Sequence, residues 1–240
     1  MDQLYLIISL SFAIGFFIES IVGFGGGLIA YFFLGFVTDL KTMILAGLYI
    51  GTCSSIYIMI SDYKNFNHKI LLRILIFAAI GTIIGCFAFS FLSEKILSSF
   101  FAIILIILSV KIIFFDNITL PKILKNKLLL IGGISHGAFG IGGPFWVNAL
   151  KNDFKNKSEL RTTMAAIFVF FNIIRAIQLT IQQELSNDFI GKVWWTIIPV
   201  FIAIKLGHYV HLKISEEIFK KLIGAITLFA GLKFIIKAFI

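Results

Sequence analysis

The chain has 240 residues, of which 59% are hydrophobic and only 14% are charged, and its mean hydropathy is +1.02. A soluble domain carries about 25% charged residues. The composition therefore excludes a soluble globular fold and indicates a protein that lies in lipid. A formal net charge of +9 would suggest nucleic acid as the partner of a soluble protein. Here the basic residues stand mostly in short gaps between apolar runs, so we expect no nucleic-acid partner.

Apolar runs separated by charged gaps predict an all-α polytopic membrane protein. A helix needs about 20 apolar residues to cross the hydrocarbon core of a bilayer. Six of the eight runs fit one crossing each, whereas the first and the fifth do not. The runs, in chain order, are 4–36, 43–60, 70–92, 96–115, 128–150, 164–181, 193–212 and 218–239. The first run lacks a basic start and continues past a usual signal peptide, so we expect it to belong to the mature fold.

The first and fifth runs each contain a glycine-rich interruption. The first glycine break is GFGGG at residues 23–27, and the second glycine break is GIGGP at residues 140–144. Glycine and proline at this density interrupt a helix. Backbone groups that a helix no longer satisfies are tolerated in a bilayer only inside protein or beside a watered cavity. We therefore expect both breaks in the protein interior.

The two breaks belong to an internal duplication. A shift of 117 positions aligns three glycines of each break, pairing Gly23 with Gly140, Gly25 with Gly142 and Gly26 with Gly143. Further along, a shift of 122 positions aligns Gly85 with Gly207. We predict two related halves, residues 1–117 and 118–240, within a single integral membrane domain. Internal repeats of this kind are common in transporters.

The positions of lysine and arginine predict how the halves are oriented. We set aside Lys111, Arg175, Lys205 and Lys233 as intramembrane candidates; if every run crosses once, the other 17 divide nine to eight between the two sides. If the fifth run is a hairpin, they divide 13 to 4, and the positive-inside rule favours this arrangement with the basic side in the cytoplasm. The arms 128–135 and 145–150 are also too short to cross at about 1.5 Å per residue. Each half then holds one glycine-broken helical hairpin and three transmembrane helices, which makes the halves inverted repeats.

Further short motifs are spread over nearly the whole chain. They are GTCSS at 51–55, LRTT at 160–163 followed by Asn172, and a C-terminal pattern of Pro199, Gly207, ISEEIF at 214–219 and Gly231. With the two breaks, these motifs make the chain resemble the sulfite exporter TauE/SafE family, also called the toluene-sulfonate uptake permease family. The resemblance implies a multi-pass transporter of the cell (cytoplasmic or inner) membrane, not an enzyme. Its substrate would be a small anion such as sulfite, thiosulfate or an organosulfonate.

We expect alternating access between the two repeats, with a passive anion channel as the alternative. The chain contains no GxxxxGK[ST] motif for ATP. Energy would therefore come from an ion or substrate gradient. No metal-ligand spacing or cofactor motif is recognisable, so we expect neither a cofactor nor a metal. The expected partners are the small anion and the lipid bilayer, and a homodimer is left open.

The predicted anion site combines helix ends, glycines and a buried cation. Helix ends beside the breaks expose N–H groups, and glycine lets a ligand approach the backbone. We expect the breaks to face each other near the middle of the membrane, although small residues can also serve close helix packing. The substrate-binding candidates are Gly23, Gly25, Gly26, Thr52, Ser55, Gly140, Gly142, Gly143, Asn172 and Arg175. Thr52 and Ser55 either line the cavity or bond back to their own helix.

Three charged or titratable residues inside the runs are further site candidates: Arg175 in the middle of the sixth run, and Glu19 and His136 just before the breaks. Arg175 has a planar guanidinium that suits sulfonate oxygens, or it forms a structural ion pair with Glu19. The shift of 117 places Glu19 on His136, and each lies about one turn before its break. Intramembrane glutamate and histidine recur in proton relays, so Glu19 and His136 are candidates for proton coupling. The alternative for His136 is a hydrogen-bonded interior histidine.

Overall fold

A computed structural model describes residues 3–22, 25–114, 121–184 and 187–210, together with 224, 225, 228, 229, 231, 232 and 234–236. Within the described ranges the chain is helical, with short 3-10 turns and no β-strand. The α-helices are α1 (Gln3–Val22), α2 (Gly26–Leu34), α3 (Leu40–Ser61), α4 (His68–Phe91), α5 (Glu94–Phe114), α6 (Lys122–Phe139), α7 (Gly143–Leu150), α8 (Lys157–Ile181), α9 (Asn187–Val193) and α10 (Ile197–Val210). Gly23 and most of the eighth predicted run lie outside the described residues.

The prediction of an all-helical multi-pass membrane protein is confirmed. Five described helical stretches are long and apolar enough to cross a bilayer, and they are Gln3–Ile21, Leu40–Ser61, His68–Phe91, Ser158–Ile181 and Asp188–Gly207. Large apolar side chains cover the outer faces of these helices; Ile76 is 65% exposed and Ile177 is 56% exposed. Lipid accommodates such a surface, whereas water does not.

The first glycine break joins α1 to α2, which runs back along α1. The backbone of Gly26 lies directly against Gly15, where a Cβ atom would collide with the Gly26 carbonyl. Further back toward the start of α1, the rings of Phe12 and Tyr31 meet edge to face at 6.2 Å. The two helices therefore form an antiparallel hairpin, and Gly25 of the first glycine break stands directly before α2.

The second glycine break joins α6 to α7 in a similar hairpin. Near the turn, the Ser135 hydroxyl donates to the Ile141 carbonyl at 2.6 Å. At the far end, Lys125 and Asp153 form an ion pair at 2.9 Å, so α7 returns to the end of the bundle at which α6 begins. The first arm is longer than the predicted stretch 128–135, because α6 begins at Lys122 and ends at Phe139.

Glycine seams pack each hairpin against another helix. On α4, Gly85 lies against the Ile134 carbonyl of α6, and Gly81, one turn earlier, lies against the carbonyl of Leu130. The contact that lies one turn later on α4 also lies one turn later on α6, so the two helices run parallel. On α10, Gly207 lies against the Phe17 carbonyl of α1. Small residues let these backbones approach closely, as in other membrane helix pairs.

Helices α3 and α8 pack antiparallel through the centre of the molecule. Lys41 at the start of α3 forms an ion pair with Glu184, just beyond the end of α8. At the other end, Asp62 accepts hydrogen bonds from Ser158 and Thr162 on the first turns of α8. We call the end with Asp62, Lys125 and Asp153 the basic end, because α4, α6 and α8 all begin there with their basic residues.

The connection between α3 and α4 is fixed to α8 by polar contacts at the basic end. The Asp62 carboxylate also lies 3.6 Å from the Arg161 guanidinium. Partial burial alone would raise the pKa of Asp62, but hydrogen bonds from Ser158, Asn65 and Thr162 outweigh burial and hold the pKa below its ordinary value. The charged form of Asp62 therefore stabilises the contact between this connection and α8.

Candidate functional site

The two glycine breaks line one internal cavity of about 60 Å³. The first break contributes Gly25 and Gly27, and the second contributes Gly140, Ile141, Gly143 and Pro144. The middle of α3 and the middle of α8 close the remaining sides. The polar side chains that line the cavity are Glu19, Tyr31, Ser55, His136, Asn172 and Arg175. Aromatic and aliphatic residues, among them Phe12, Phe16 and Phe168, complete the wall.

Arg175 is fully buried and is held by the end of α6. Its Nη1 donates to the His136 carbonyl at 3.0 Å, and its Nη2 donates to the Ala138 carbonyl at 3.2 Å. Carbonyls at the C-terminus of a helix form the negative end of its dipole, which explains how a cation is tolerated here. Within the described part of the chain, Nε has no hydrogen-bond partner. The guanidinium is thus held through Nη1 and Nη2, and its Nε–H group remains available as a donor.

The ion pair between Arg175 and Glu19, one of the two sequence-based alternatives, is not formed. Among the described residues, no carboxylate lies within 4.0 Å of the guanidinium. The Glu19 carboxylate instead accepts the backbone N–H of Gly26 at 2.6 Å, at the first residue of α2. Glu19 is only 8% exposed and lines the cavity. It therefore lies at the positive end of a short helix, which favours the charged form of its carboxyl group.

His136 and Asn172 form a buried hydrogen-bonded pair. His136 Nε2 lies 3.1 Å from Asn172 Oδ1, and His136 Nδ1 has no partner among the described residues. The imidazole packs beside the rings of Trp146 and Phe168. Because Asn172 uses its amide oxygen for His136, its Nδ2 remains as a donor on the side that faces Gly51.

Residues on α3 that sequence reasoning passed over form one wall of the cavity. Gly47 and Gly51 line it with Ser55, at spacings of four residues that place all three on one helical face. A Cβ atom at Gly47 would collide with the hydroxyl of Tyr31, so the glycine makes room for that hydroxyl. Tyr31 itself lines the cavity and was not among the candidates. The repeated four-residue spacing of small residues was a signal that could have located this wall.

The candidates chosen from the sequence divide into two groups. Eight of them line the cavity, namely Glu19, Gly25, Ser55, Gly140, Gly143, His136, Asn172 and Arg175. Three others lie outside the lining: Gly26 packs against Gly15, Gly142 packs against Gly132 and Trp146, and the Thr52 hydroxyl donates back to the Leu48 carbonyl. Gly23 lies outside the described residues. Close packing, one of the alternatives considered for the glycines, thus accounts for the positions of Gly26 and Gly142.

The site glycines have different backbone roles in the two breaks. Gly25 precedes α2 with φ of 97°, and Gly140 follows α6 with φ of 74°. Both values lie in the left-handed region, which a side chain disfavours. Gly140 therefore follows the last turn of α6, next to the carbonyls that Arg175 binds. Gly25 precedes α2, whose first amide donates to Glu19.

Comparison with known proteins identifies the family. The model of the sulfite exporter TauE/SafE family matches residues 7–234, nearly the whole chain. No match is found among curated proteins or among solved structures. The match agrees with the membrane-spanning helices described above and with the resemblance in the motifs. The chain belongs to the sulfite exporter TauE/SafE family of membrane transporters.

Proposed function

We propose that this protein moves a small sulfur-containing oxyanion, such as sulfite or thiosulfate, across the cytoplasmic membrane, and that the cavity between the two glycine breaks is its binding site. One observation carries the proposal: Arg175, a buried cation, lines a cavity together with glycines from both breaks. A buried cation costs free energy in a membrane helix, and such residues typically mark ion or substrate pathways. The family supports an exporter-type transporter.

The size of the cavity favours a compact anion. A volume of about 60 Å³ holds roughly four to six water-sized groups, if each needs about 10–15 Å³. Sulfite is a sulfur atom with three oxygen atoms around it, and thiosulfate is a sulfur atom with three oxygen atoms and a second sulfur atom around it, so both match this space. An organosulfonate adds a carbon chain and would require the cavity to widen. We therefore rank sulfite and thiosulfate ahead of larger sulfonates.

The donors around the cavity suit an oxyanion. Arg175 supplies positive charge, Asn172 Nδ2 and the Ser55 hydroxyl supply neutral donors, and Gly27 brings backbone within reach. Donors held by packing around a water-poor space bind an anion more strongly than the same groups in water. The Tyr31 hydroxyl lies between Gly47 and Gly140 and adds a further donor from α2.

The arrangement of the helices supports alternating access between two inverted repeats, residues 1–117 and 118–240. Gly85 contacts the Ile134 carbonyl, and the same shifts that align the halves carry this contact onto Gly207 and Phe17. The α6–α7 hairpin starts and ends at the basic end, whereas α3 leads from the α1–α2 hairpin toward that end. Rocking of one half against the other around a central site then opens the cavity to each side in turn.

We further propose that Glu19 carries a coupling proton. Its carboxylate lines the same cavity as the expected anion, and two negative charges in so small a space repel each other strongly. Protonation of Glu19 removes this repulsion and weakens its hydrogen bond from the Gly26 amide. His136, at the equivalent position of the second half, is the second candidate for this role because its Nδ1 is without a described partner.

Flux measurements in proteoliposomes test the proposed function. Purified protein is reconstituted, and the initial rates of efflux are measured for sulfite, thiosulfate, a short sulfonate and acetate. We expect saturable transport of sulfite or thiosulfate and little transport of acetate. A passive anion channel, the rival mechanism, would instead give anion currents that rise linearly with voltage and do not saturate. No flux of any sulfur oxyanion above empty liposomes would contradict the proposal.

A further inference from the structure

A groove at the basic end lies between the first turns of the parallel helices α4 and α6. It has a volume of about 820 Å³ and is lined by Arg73, Phe77, Lys122, Lys125 and Asn126. Three of these five residues are cationic. The groove is separate from the transport cavity, with which it shares no lining residue.

One aspartate neutralises only part of this positive charge. Asp153, which follows α7, accepts Arg73 Nη1 at 2.9 Å through Oδ2 and Lys125 Nζ at 2.9 Å through Oδ1. Three positive charges against one negative charge leave a surplus of two in the groove. Lys122 forms no ion pair among the described residues and is exposed, so its ammonium is accessible to a ligand.

An apolar surface continues from the groove along the membrane-facing side of α4. Phe77 lines the groove one turn beyond Arg73. The neighbouring strip of α4 exposes Leu72, Ile76 and Ile80 at 59%, 65% and 56%. A cationic groove at the end of membrane helices, followed by exposed apolar side chains, matches the two parts of a phospholipid, an anionic headgroup and an acyl chain.

We propose that this groove binds the phosphate of an anionic glycerophospholipid, of the phosphatidylglycerol type, in the leaflet at the basic end. The guanidinium of Arg73 and the ammonium groups of Lys122 and Lys125 face the phosphodiester, and Asn126 offers a neutral donor. The acyl chain lies over Phe77 and the exposed strip of α4. The bound lipid connects α4 to the α6–α7 hairpin on the side where Asp153 already bridges them.

The lipid preference is measured by native mass spectrometry of the full chain in detergent. Phosphatidylglycerol and phosphatidylcholine with identical acyl chains are titrated separately, and their dissociation constants are compared. Each basic residue near an anionic membrane surface contributes roughly fivefold in affinity, so we expect the wild-type protein to prefer phosphatidylglycerol by at least about fivefold. Inorganic phosphate is added in a third arm and is expected not to displace the lipid.

Three variants assign the preference to the groove. Lys122→Ser should lower the preference for phosphatidylglycerol about fivefold, and Asp153→Asn should raise it by a similar factor because it removes the competing carboxylate. Lys95→Ser removes an equally exposed charge from the opposite end of the bundle and should leave the preference unchanged. Equal affinities of the wild type for both lipids would overturn the proposal. So would an equal effect of Lys95→Ser and Lys122→Ser, or release of the lipid by inorganic phosphate.

Discussion

The guanidinium carbon of Arg175 lies 4.9 Å from the centre of the Phe89 ring, so a cation on α8 rests on an aromatic face of α4. The same guanidinium donates to two carbonyls at the end of α6. A desolvated cation–π contact of this kind contributes about 2 kcal/mol. One side chain thus connects three helices beside the cavity. Its positive charge is fixed in position before an anion enters.

Replacing Arg175 by glutamine should abolish most of the transport. The variant removes the only cationic side chain among the described residues that line the cavity. A charge-assisted hydrogen bond contributes about 1.5–3 kcal/mol, so we expect the rate of sulfite or thiosulfate efflux at low substrate to fall roughly tenfold to a hundredfold.

A control separates this effect from a loss of folding. Arg175→Lys keeps the charge but loses the planar fork that holds two carbonyls, so it should show an intermediate rate. The melting temperature of each variant in detergent is measured in parallel. Wild-type flux in a folded Arg175→Gln protein would mean that the arginine serves only to cap α6.

Replacing Glu19 by glutamine should uncouple transport from protons. The amide oxygen of glutamine still accepts the Gly26 N–H, so the start of α2 keeps its geometry while the titratable charge disappears. Arg175 from α8, His136 from α6 and Tyr31 from α2 face the same cavity and remain unchanged. We expect a pH gradient to drive anion accumulation in the wild type but not in Glu19→Gln, whereas exchange of labelled for unlabelled anion should persist.

Glu184→Gln is the matched control for this prediction. Glu184 pairs with Lys41 at the end opposite the basic end and does not line the cavity. Proton-driven accumulation should survive in this variant. If Glu19→Gln accumulates the anion as well as the wild type does, the coupling proton is carried elsewhere, and His136 is the next residue to test.

Replacing Gly137 by leucine should damage the fold, not the chemistry. A Cβ atom at this position would collide with the Thr82 carbonyl across the seam between α4 and α6. The Thr82 carbonyl belongs to the backbone, so it cannot move aside as a flexible side chain would. We expect a loss of stability of about 3 kcal/mol, seen as a lower melting temperature and a lower yield of monodisperse protein. A melting temperature equal to that of the wild type would contradict the parallel packing of α4 and α6.

Replacing Asp62 by asparagine should remove a pH-dependent part of the stability. Hydrogen bonds hold the folded pKa of Asp62 below its ordinary value of 3.8, so the carboxylate stabilises the fold above that pH. This contribution is lost as the pH falls through the lower folded pKa. We expect Asp62→Asn to be less stable than the wild type by about 1–2 kcal/mol at neutral pH. The difference in melting temperature should shrink as the pH falls below about 4, and a constant difference would argue against this role of the charge.

The helical hairpins were the part of the fold that could be predicted most directly from the sequence. Lipid permits interrupted helices only inside protein, so glycine breaks within apolar runs, here at 23–27 and 140–144, are predicted to lie in the protein interior. The hydrogen-bond partners of Arg175 could not be predicted from the sequence. They are carbonyls of His136 and Ala138, and backbone carbonyls leave no mark in the residue types of a sequence.

Tyr31 and Gly26 mark the limits of the site prediction. Tyrosine in an apolar run reads as core or interface, and only its fit against Gly47 brings its hydroxyl to the cavity. Gly26 and Gly142 look like ligand-binding glycines by position, yet they lie where two backbones touch. Glycines that admit a ligand and glycines that admit a helix have the same sequence signal, so the difference depends on tertiary packing.

The central claim is that the anion occupies the space between the two breaks, and filling that space is its most direct test. A Cβ atom at Gly27 meets nothing within 4 Å, although this glycine lines the cavity, so Gly27→Leu should fold and place its side chain in the anion site. Gly191 in α9 is equally open but does not line the cavity, which makes Gly191→Leu the matched control. We expect sulfite or thiosulfate efflux from proteoliposomes to fall to the level of empty liposomes in Gly27→Leu and to stay at the wild-type rate in Gly191→Leu. Wild-type efflux by a folded Gly27→Leu protein would contradict the account.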